Sequence, residues 1–154
     1  MKAPASDSAR IAKAIAKFDP ANAREIRAVR AALRKRFPTA YELVYDNYNF
    51  FVIGYCATDR PSSCVVSLVA NANGVSLSFY RGADVPDPKR VLEGSGRQNR
   101  FIRLLSGADE FARPEVAGVI DAAEALAPYP MRGTGRVVSI VRAQSAKQRP
   151  RRKF

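Results

Sequence analysis

The stretch that decides the fold is CVVSLVANANGVSLSFY, residues 64–80. Two runs with strand propensity flank the tetrapeptide at 71–74, whose Asn73-Gly74 pair is a strong signal for a tight hairpin turn. In the second run Val75, Leu77 and Phe79 alternate with serine and tyrosine residues. This alternation predicts an antiparallel sheet that has one face in the core and the other face polar and open.

On either side of this hairpin, apolar residues recur with the spacing of strands, and towards both ends of the chain they recur with the spacing of helices. The predicted strands are 41–45, 50–55, 64–70, 75–80 and 101–105, with 137–141 as an additional edge strand, and the predicted helices are 9–18, 20–37 and 114–127. This order predicts an α+β fold of two layers, in which an antiparallel β-sheet meander of about five strands is flanked by N- and C-terminal helices.

The length of 154 residues predicts one domain. We expect an N-terminal extension with a short helix at 1–19, the α+β domain itself at 20–127, and a basic C-terminal extension at 128–154. From residue 143 onward the chain is polar and basic, so we expect this end to be mobile.

The chain contains no histidine, which excludes Ser-His and Cys-His nucleophilic catalysis and histidine-ligated metal sites. An enzyme would have to use other groups, and the sequence offers several tyrosines together with Asp46 as an acid/base pair. Aromatic residues at such spacing are usually core or sheet surface. We therefore assign no catalytic residue, no metal and no cofactor.

The two cysteines, Cys56 and Cys64, are eight residues apart, which matches neither a zinc knuckle nor a Cys-x-x-Cys redox pair. We expect two reduced and mostly buried thiols at strand ends, because a cytoplasmic location argues against a hairpin disulfide. That location is itself an expectation. It follows from the lack of an apolar run of about 20 residues and of an apolar signal-peptide core, and no membrane partner is expected.

The net charge of +12 is unevenly distributed along the chain. Residues 41–88 carry two basic and five acidic side chains, whereas residues 132–154 carry eight basic and none acidic. Such a field attracts polyanions, which include RNA, DNA and acidic proteins.

A glycine- and arginine-rich stretch at 92–104, here called the glycine-arginine segment, is one candidate site. Its glycines allow a turn around which guanidinium groups can hold a phosphate or carboxylate. The predicted ligand-binding residues are Gly94, Ser95, Gly96, Arg97, Arg100, Arg103 and Tyr80. In the alternative interpretation the glycines only shape the turn, and the arginines pair with Glu93, Asp109 or Glu110.

The basic C-terminus is a second candidate site, for nucleic acid bound without sequence preference. The predicted contacts are Lys147, Arg149, Arg151, Arg152 and Lys153, together with the basic face of the 20–37 helix. In the alternative interpretation the tail only increases solubility and the helix face is only solvated.

The run at 91–104, followed by a closing helix at 114–125, resembles the YdhG-like family of small bacterial domains of unknown function (domain of unknown function 1801). The segments at 41–45 and 79–82 fall where that pattern expects them, and the likeness covers roughly residues 20–127. The chain departs from the pattern at Phe101, where typical members carry a histidine.

The resemblance implies an activity in one branch only, which is frataxin-like and described as an iron chaperone for cofactor assembly. That role needs exposed carboxylates, and the 20–37 helix is instead rich in arginine. The remaining oxygen ligands would be Asp84, Asp87, Glu93, Asp109 and Glu110. We do not expect iron binding, because these residues fit loop and helix-start positions better.

Together these features predict a non-enzymatic binding module for an anionic small molecule or an acidic protein. The alternatives are association with nucleic acid through the basic tail and, less favoured, the iron-chaperone role. The sequence leaves the oligomeric state open.

Overall fold

The computed structural model describes residues 6–153. Its helices are α1 (Asp7–Ala16), α2 (Pro20–Arg36) and α3 (Pro114–Leu126). Its strands are β1 (Tyr41–Asp46), β2 (Phe51–Cys56), β3 (Cys64–Asn71), β4 (Gly74–Phe79), β5 (Arg100–Arg103) and β6 (Val138–Gln144). Short 3-10 turns lie at Pro61–Ser63, Gly82–Asp84 and Gly107–Ala112. No helix within this described range has the length and apolar character needed to cross a membrane.

Local sequence signals set the helix boundaries. The Ser6 hydroxyl accepts a hydrogen bond from the Ala9 amide at 3.1 Å and so caps α1. Pro20 occupies the first turn of α2, where a backbone N–H would have no acceptor within the helix, so proline costs no hydrogen bond there. Helix α2 buries Ile26, Val29 and Leu33 against the sheet and ends before Pro38.

The sheet has the strand order β5-β4-β3-β2-β1-β6. Strands β1 to β5 form the predicted antiparallel meander, which confirms the α+β assignment. A sixth strand, β6, covers the outer edge of β1 and runs parallel to it, so the sheet is mixed and not wholly antiparallel as predicted. The expected edge strand at 137–141 corresponds to β6.

The two faces of the sheet differ as the alternation predicts. Val75, Leu77 and Phe79 are at most 6% exposed and belong to the core between the helices and the sheet. Ser76 and Ser78 lie on the opposite, partly exposed face, and Tyr80 just beyond β4 is 57% exposed.

The two candidate sites lie at opposite ends of the sheet. Because neighbouring strands alternate in direction and β6 is parallel to β1, the turns at 47–50 and 72–73 share one end with residues 145–153. We call residues 145–153 the C-terminal segment. The loops at 57–63 and 80–82 lie at the other end, together with the turn of the glycine-arginine segment.

Candidate functional site

The turn of the glycine-arginine segment needs only one of its two glycines. Gly94 has φ +107°, and a Cβ there would lie 3.2 Å from the Phe101 ring. Gly96 has no such backbone requirement, and a Cβ there would meet only the Asn99 carbonyl oxygen, at 3.8 Å. Glu93 and Phe101 exchange two backbone hydrogen bonds of 2.8 and 3.0 Å, which fold the segment back along the edge of β5.

Two of the three predicted arginines are bonded within the segment itself. Arg103 donates to both carboxylate oxygens of Glu93, at 2.7 and 3.2 Å, and this hydrogen bonding lowers the pKa of Glu93. Arg100 donates to the backbone oxygens of Gly96 and Asn99. These contacts match the alternative interpretation for Arg103 with Glu93.

The remaining predicted residues at this end are open to solvent. Arg97 and Ser95 are exposed, and Arg97 forms no ion pair with any residue of the described range. Tyr80 is exposed beside Arg81, whose guanidinium carbon lies 5.7 Å from the centre of the tyrosine ring. The Ser78 hydroxyl donates to Asn99 at 2.8 Å and links the open sheet face to the turn. An anion-binding role for these residues stays a prediction.

The C-terminal segment is packed against the protein, so the expectation of a mobile end from residue 143 is not met up to residue 153. The Ser145 amide donates to the Asp46 carbonyl at 2.8 Å, and the Arg149 amide donates to the Tyr48 carbonyl at 2.8 Å. Near its end the Lys153 amide donates to the Asp19 carboxylate at 3.1 Å. Backbone hydrogen bonds therefore hold the segment along the turn between β1 and β2.

One arginine of the C-terminal segment is buried in the protein. Arg151 is 5% exposed, donates to the Asp46 carboxylate at 3.1 Å and to the Asn47 carbonyl at 2.6 Å, and lies 5.8 Å from the centre of the Phe18 ring. Lys17 lies 3.6 Å from the same carboxylate. Arg151, predicted as a nucleic-acid contact, thus anchors the segment and does not face solvent.

The other basic residues of the segment stay exposed around a groove, and two exposed aromatic residues of the neighbouring turn adjoin them. Tyr48 is 44% and Phe50 41% exposed, and the Arg149 guanidinium carbon lies 5.7 Å from the centre of the Tyr48 ring. Arg152 donates to the Lys17 carbonyl at 3.2 Å, and Lys147 is exposed on the preceding turn. The groove, of about 650 Å³, includes Asn49, Phe50, Asn73, Arg149, Arg152 and Lys153. We call this groove together with Tyr48 the tail groove.

Sequence reasoning missed the aromatic half of the tail groove. It assigned Tyr48 to a turn and Phe50 to a strand. The signal was the short run Tyr48-Asn49-Phe50, in which two large rings flank an asparagine at a place where a turn residue is expected to be small and polar.

Part of the basic face of α2 forms ion pairs within the fold. Arg30 donates to both oxygens of the fully buried Glu42 at 2.9 and 3.0 Å, and Arg34 donates to one of them at 3.1 Å. Tyr55 and Ser139 add hydrogen bonds of 2.8 and 2.7 Å. Burial alone would raise the pKa of Glu42, but the hydrogen bonds and charge of Arg30 lower it below its ordinary value.

A further pair of contacts involves α3. Arg36 donates to Asp121 and to Glu124, each at 2.8 Å. Of the basic residues predicted along this helix, Arg24, Arg27 and Lys35 are exposed. The helix face is therefore neither only solvated nor a continuous binding face.

The acidic residues that could have ligated a metal have other contacts or stand apart. Asp87 accepts from the amides of Val91 and Leu92, each at 2.9 Å, and Glu110 accepts from Arg113 at 2.8 Å. Asp84 and Asp109 are exposed. Within residues 6–153, no three His, Cys, Asp or Glu side chains are grouped so that they could hold a metal ion.

Comparison of the chain with protein-family models, curated proteins and solved structures found no match. The resemblance to the YdhG-like family therefore stays a prediction.

Proposed function

We propose that the protein binds single-stranded nucleic acid, without reading its sequence, through the tail groove. One observation carries the proposal: Phe50 and three exposed basic side chains line one groove, and the exposed Tyr48 ring adjoins it beside Arg149, on backbone that hydrogen bonds and a buried arginine hold in place. A cytoplasmic location, as the sequence predicts, fits this role.

The charge of the tail groove supports a polyanionic ligand. Arg149, Arg152 and Lys153 form no ion pair within the described range. Cations without an acidic partner can neutralise phosphates and release their counterions, which gives salt-dependent affinity. The C-terminal segment itself carries no acidic residue, and the Asp19 carboxylate, which accepts a hydrogen bond from the Lys153 amide, belongs to the preceding part of the fold.

The aromatic rings favour single strands over a duplex. Bases of a single strand are free to stack on exposed side chains such as Tyr48 and Phe50, and each such stack contributes about 1 to 3 kcal/mol. In a duplex the bases are already stacked and only phosphates are available. Asparagine side chains at the groove, Asn49 and Asn73, offer hydrogen bonds to either sugar or phosphate.

The first test measures charge. A triple variant, Arg149→Ala with Arg152→Ala and Lys153→Ala, is compared with wild type by fluorescence anisotropy on an oligothymidine of about 12 nucleotides, a length within the usual site sizes. We expect weaker binding and a slope of log affinity against log salt that is smaller by about 2, the value for three lost phosphate contacts on a single strand.

A control variant removes the same charge elsewhere. Arg27→Ala, Lys35→Ala and Arg97→Ala lie at exposed positions outside the tail groove. This control should retain most of the affinity. Equal losses in the two triple variants would mean that only net charge matters and would contradict the proposal.

The second test measures stacking. Tyr48→Ala and Phe50→Ala should weaken binding of the oligothymidine by about 1 to 3 kcal/mol each and leave binding of a duplex of equal length unchanged. Tyr129→Ala is the matched control, since that tyrosine is 52% exposed away from the groove. If the protein bound polyglutamate as tightly as the oligothymidine, base stacking would not contribute to affinity, and an acidic protein would be indicated as the partner.

A second candidate function is binding of an anionic small molecule or acidic partner at the glycine-arginine segment. It is favoured by the exposed Arg97, which has no acidic partner within residues 6–153. In this case Arg97→Ala and Arg100→Ala should each weaken the ligand by about 1 to 3 kcal/mol, the range for a charged hydrogen bond. Titration with inorganic phosphate, observed by NMR, tests this directly.

A further inference from the structure

The two cysteines face each other across a distortion in the sheet. Cys56 ends β2 and Cys64 begins β3, and their Cα atoms are partners in the strand register. The register shifts between Tyr55 and Cys56, because Tyr55 pairs with Val66 while Cys56 pairs with Cys64. This β-bulge leaves Val65 as an extra residue and aims Cys64 at the open face of the sheet, where a regular strand would aim it at the core.

The two sulfur atoms share the floor of one cavity. A Cβ built on Gly54 would lie 3.2 Å from the sulfur of Cys64 and 3.6 Å from that of Cys56. Glycine at this position therefore leaves the space above the thiols open. The cavity has a volume of about 370 Å³, and its walls include Tyr45, Ser67 and Tyr80.

Two arginines contact the loop that contributes Pro61 and Ser62 to the cavity. Arg81 donates to the Ser62 carbonyl at 3.0 Å, and Arg142 donates to the Asp59 carbonyl at 3.3 Å. No charged side chain is among the residues that line the cavity. Positive charge favours thiolate over thiol and attracts anionic reactants, whereas it disfavours a metal cation.

The two thiols differ in chemical character. The neighbouring Cys56 thiol lowers the pKa of Cys64, and Ser67 and Arg81 act in the same direction. The neighbouring Cys64 thiol, together with burial, raises the pKa of Cys56. As residues, Cys56 is 1% exposed and Cys64 is partly exposed.

We propose that Cys56 and Cys64 form a reversible dithiol site that exchanges with small, negatively charged disulfides, with Cys64 as the attacking thiol and Cys56 as the resolving one. The Cα atoms of the two residues are register partners, and both sulfur atoms lie beside the same point above Gly54, at 3.2 and 3.6 Å, which is the side-by-side arrangement that a disulfide requires. In a reducing compartment both thiols are reduced at rest, as the sequence predicts, and oxidation is transient.

The exchange proceeds in two balanced steps. The Cys64 thiolate attacks one sulfur of the small disulfide, whose S–S bond breaks, and the departing thiolate takes up a proton from solvent. Cys56 then loses its proton to solvent and attacks the Cys64 sulfur, so that the mixed disulfide breaks and a second small thiol leaves. The protein loses two electrons and two protons, and the small disulfide gains them as two thiols.

The first experiment uses the unaltered protein. It is reduced, freed of reductant, and incubated without oxygen with oxidised glutathione, a disulfide that carries carboxylates, and the products are followed by intact mass after acid quenching. We expect a product lighter by two hydrogen atoms, with only a transient glutathione adduct. A protein that stays reduced, or that stops at the adduct, would overturn the proposal.

Single variants assign the roles. Cys56→Ser should accumulate a stable glutathione adduct on Cys64 about tenfold or more faster than Cys64→Ser forms one on Cys56. Cys56→Ala repeats the test with a second side chain in case serine disturbs this buried position, and thermal melting verifies that each variant is folded. Equal rates for the two cysteines would contradict the assignment.

A charge variant tests the arginine. Arg81→Ala should slow adduct formation severalfold, whereas Lys89→Ala removes one exposed charge outside the cavity and should not. An unchanged rate in Arg81→Ala would show that this guanidinium does not assist the exchange.

Discussion

The glycine-arginine segment and the C-terminal segment are both basic, yet they use their arginines differently. In the first, Arg103 and Arg100 bond to a carboxylate and to carbonyl oxygens of the same segment. In the second, a single arginine, Arg151, is buried against Asp46, and its basic neighbours remain exposed. Positive charge alone therefore does not locate a polyanion site, and the contacts that each cation already makes must be known.

The difference has a local cause. The glycine-arginine segment contains Glu93 and a turn whose carbonyl oxygens point back at its own side chains, so it supplies its own acceptors. The C-terminal segment contains no acidic residue. Its one buried arginine pairs with an acid of β1, and its other basic side chains form no ion pair within residues 6–153.

The largest effect should come from the most completely paired charges, those around Glu42. Glu42→Gln leaves Arg30 without its buried counter-charge and should lower the free energy of unfolding by about 3 to 5 kcal/mol at neutral pH. Urea denaturation measures it. If the loss of unfolding free energy were as small as that for an exposed ion pair, arginines paired within the fold could not be distinguished energetically from arginines without an acidic partner.

The same pair predicts a pH dependence. Because the pKa of Glu42 is lower in the folded protein, its stabilisation is complete above the unfolded value of about 4.3 and is lost as the pH falls through the folded value. The difference in stability between wild type and Glu42→Gln should therefore narrow as the pH falls below about 4. A difference in stability between the two proteins that stays constant across this pH range would contradict the lowered pKa of Glu42.

The second-largest loss of stability is expected at Arg151, the buried arginine of the C-terminal segment. Arg151→Ala leaves the buried Asp46 with only Lys17 nearby and should reduce the free energy of unfolding by about 3 kcal/mol. It should also weaken oligonucleotide binding, because the exposed cations lose their fixed positions. Arg152→Ala is the control, since it should weaken binding and leave stability unchanged. Full oligonucleotide affinity in Arg151→Ala would show that order in the segment is irrelevant to binding.

The smallest effect is expected at the other end of the sheet. Arg103→Ala removes an exposed pair with Glu93, and exposed pairs of this kind contribute little. We expect no change in melting temperature beyond experimental error and no change in oligonucleotide affinity. A clear loss of oligonucleotide affinity in Arg103→Ala would show that nucleic acid binds at the glycine-arginine segment and not at the C-terminal segment.

Local pattern was enough to predict much of the fold. The Asn73-Gly74 turn, the alternation in β4 and the apolar stripe of α2 are signals between near neighbours, and the structure contains each of them. The parallel pairing of β6 with β1 joins residues about a hundred positions apart. Nothing in the run 138–144 states which edge it will cover or in which direction.

The site was harder to predict because it depends on distant partners. Arg151 looks like any tail arginine until Asp46, 105 residues earlier, is seen to lie beside it. Glu42 sits in a strand pattern that does not reveal Arg30 and Arg34 above it. Tyr48 and Phe50 gain significance only because the C-terminal segment returns to their turn.

The most direct test of the account is to map the binding site by NMR. Amide chemical shifts of the full chain are followed during titration with oligothymidine at low salt. We predict that the changes are concentrated at 48–50, 71–73 and 149–153, with little change at 94–100. Changes centred on 94–100, with 149–153 unaffected, would show that oligothymidine does not bind at the C-terminal segment and the turn at 48–50.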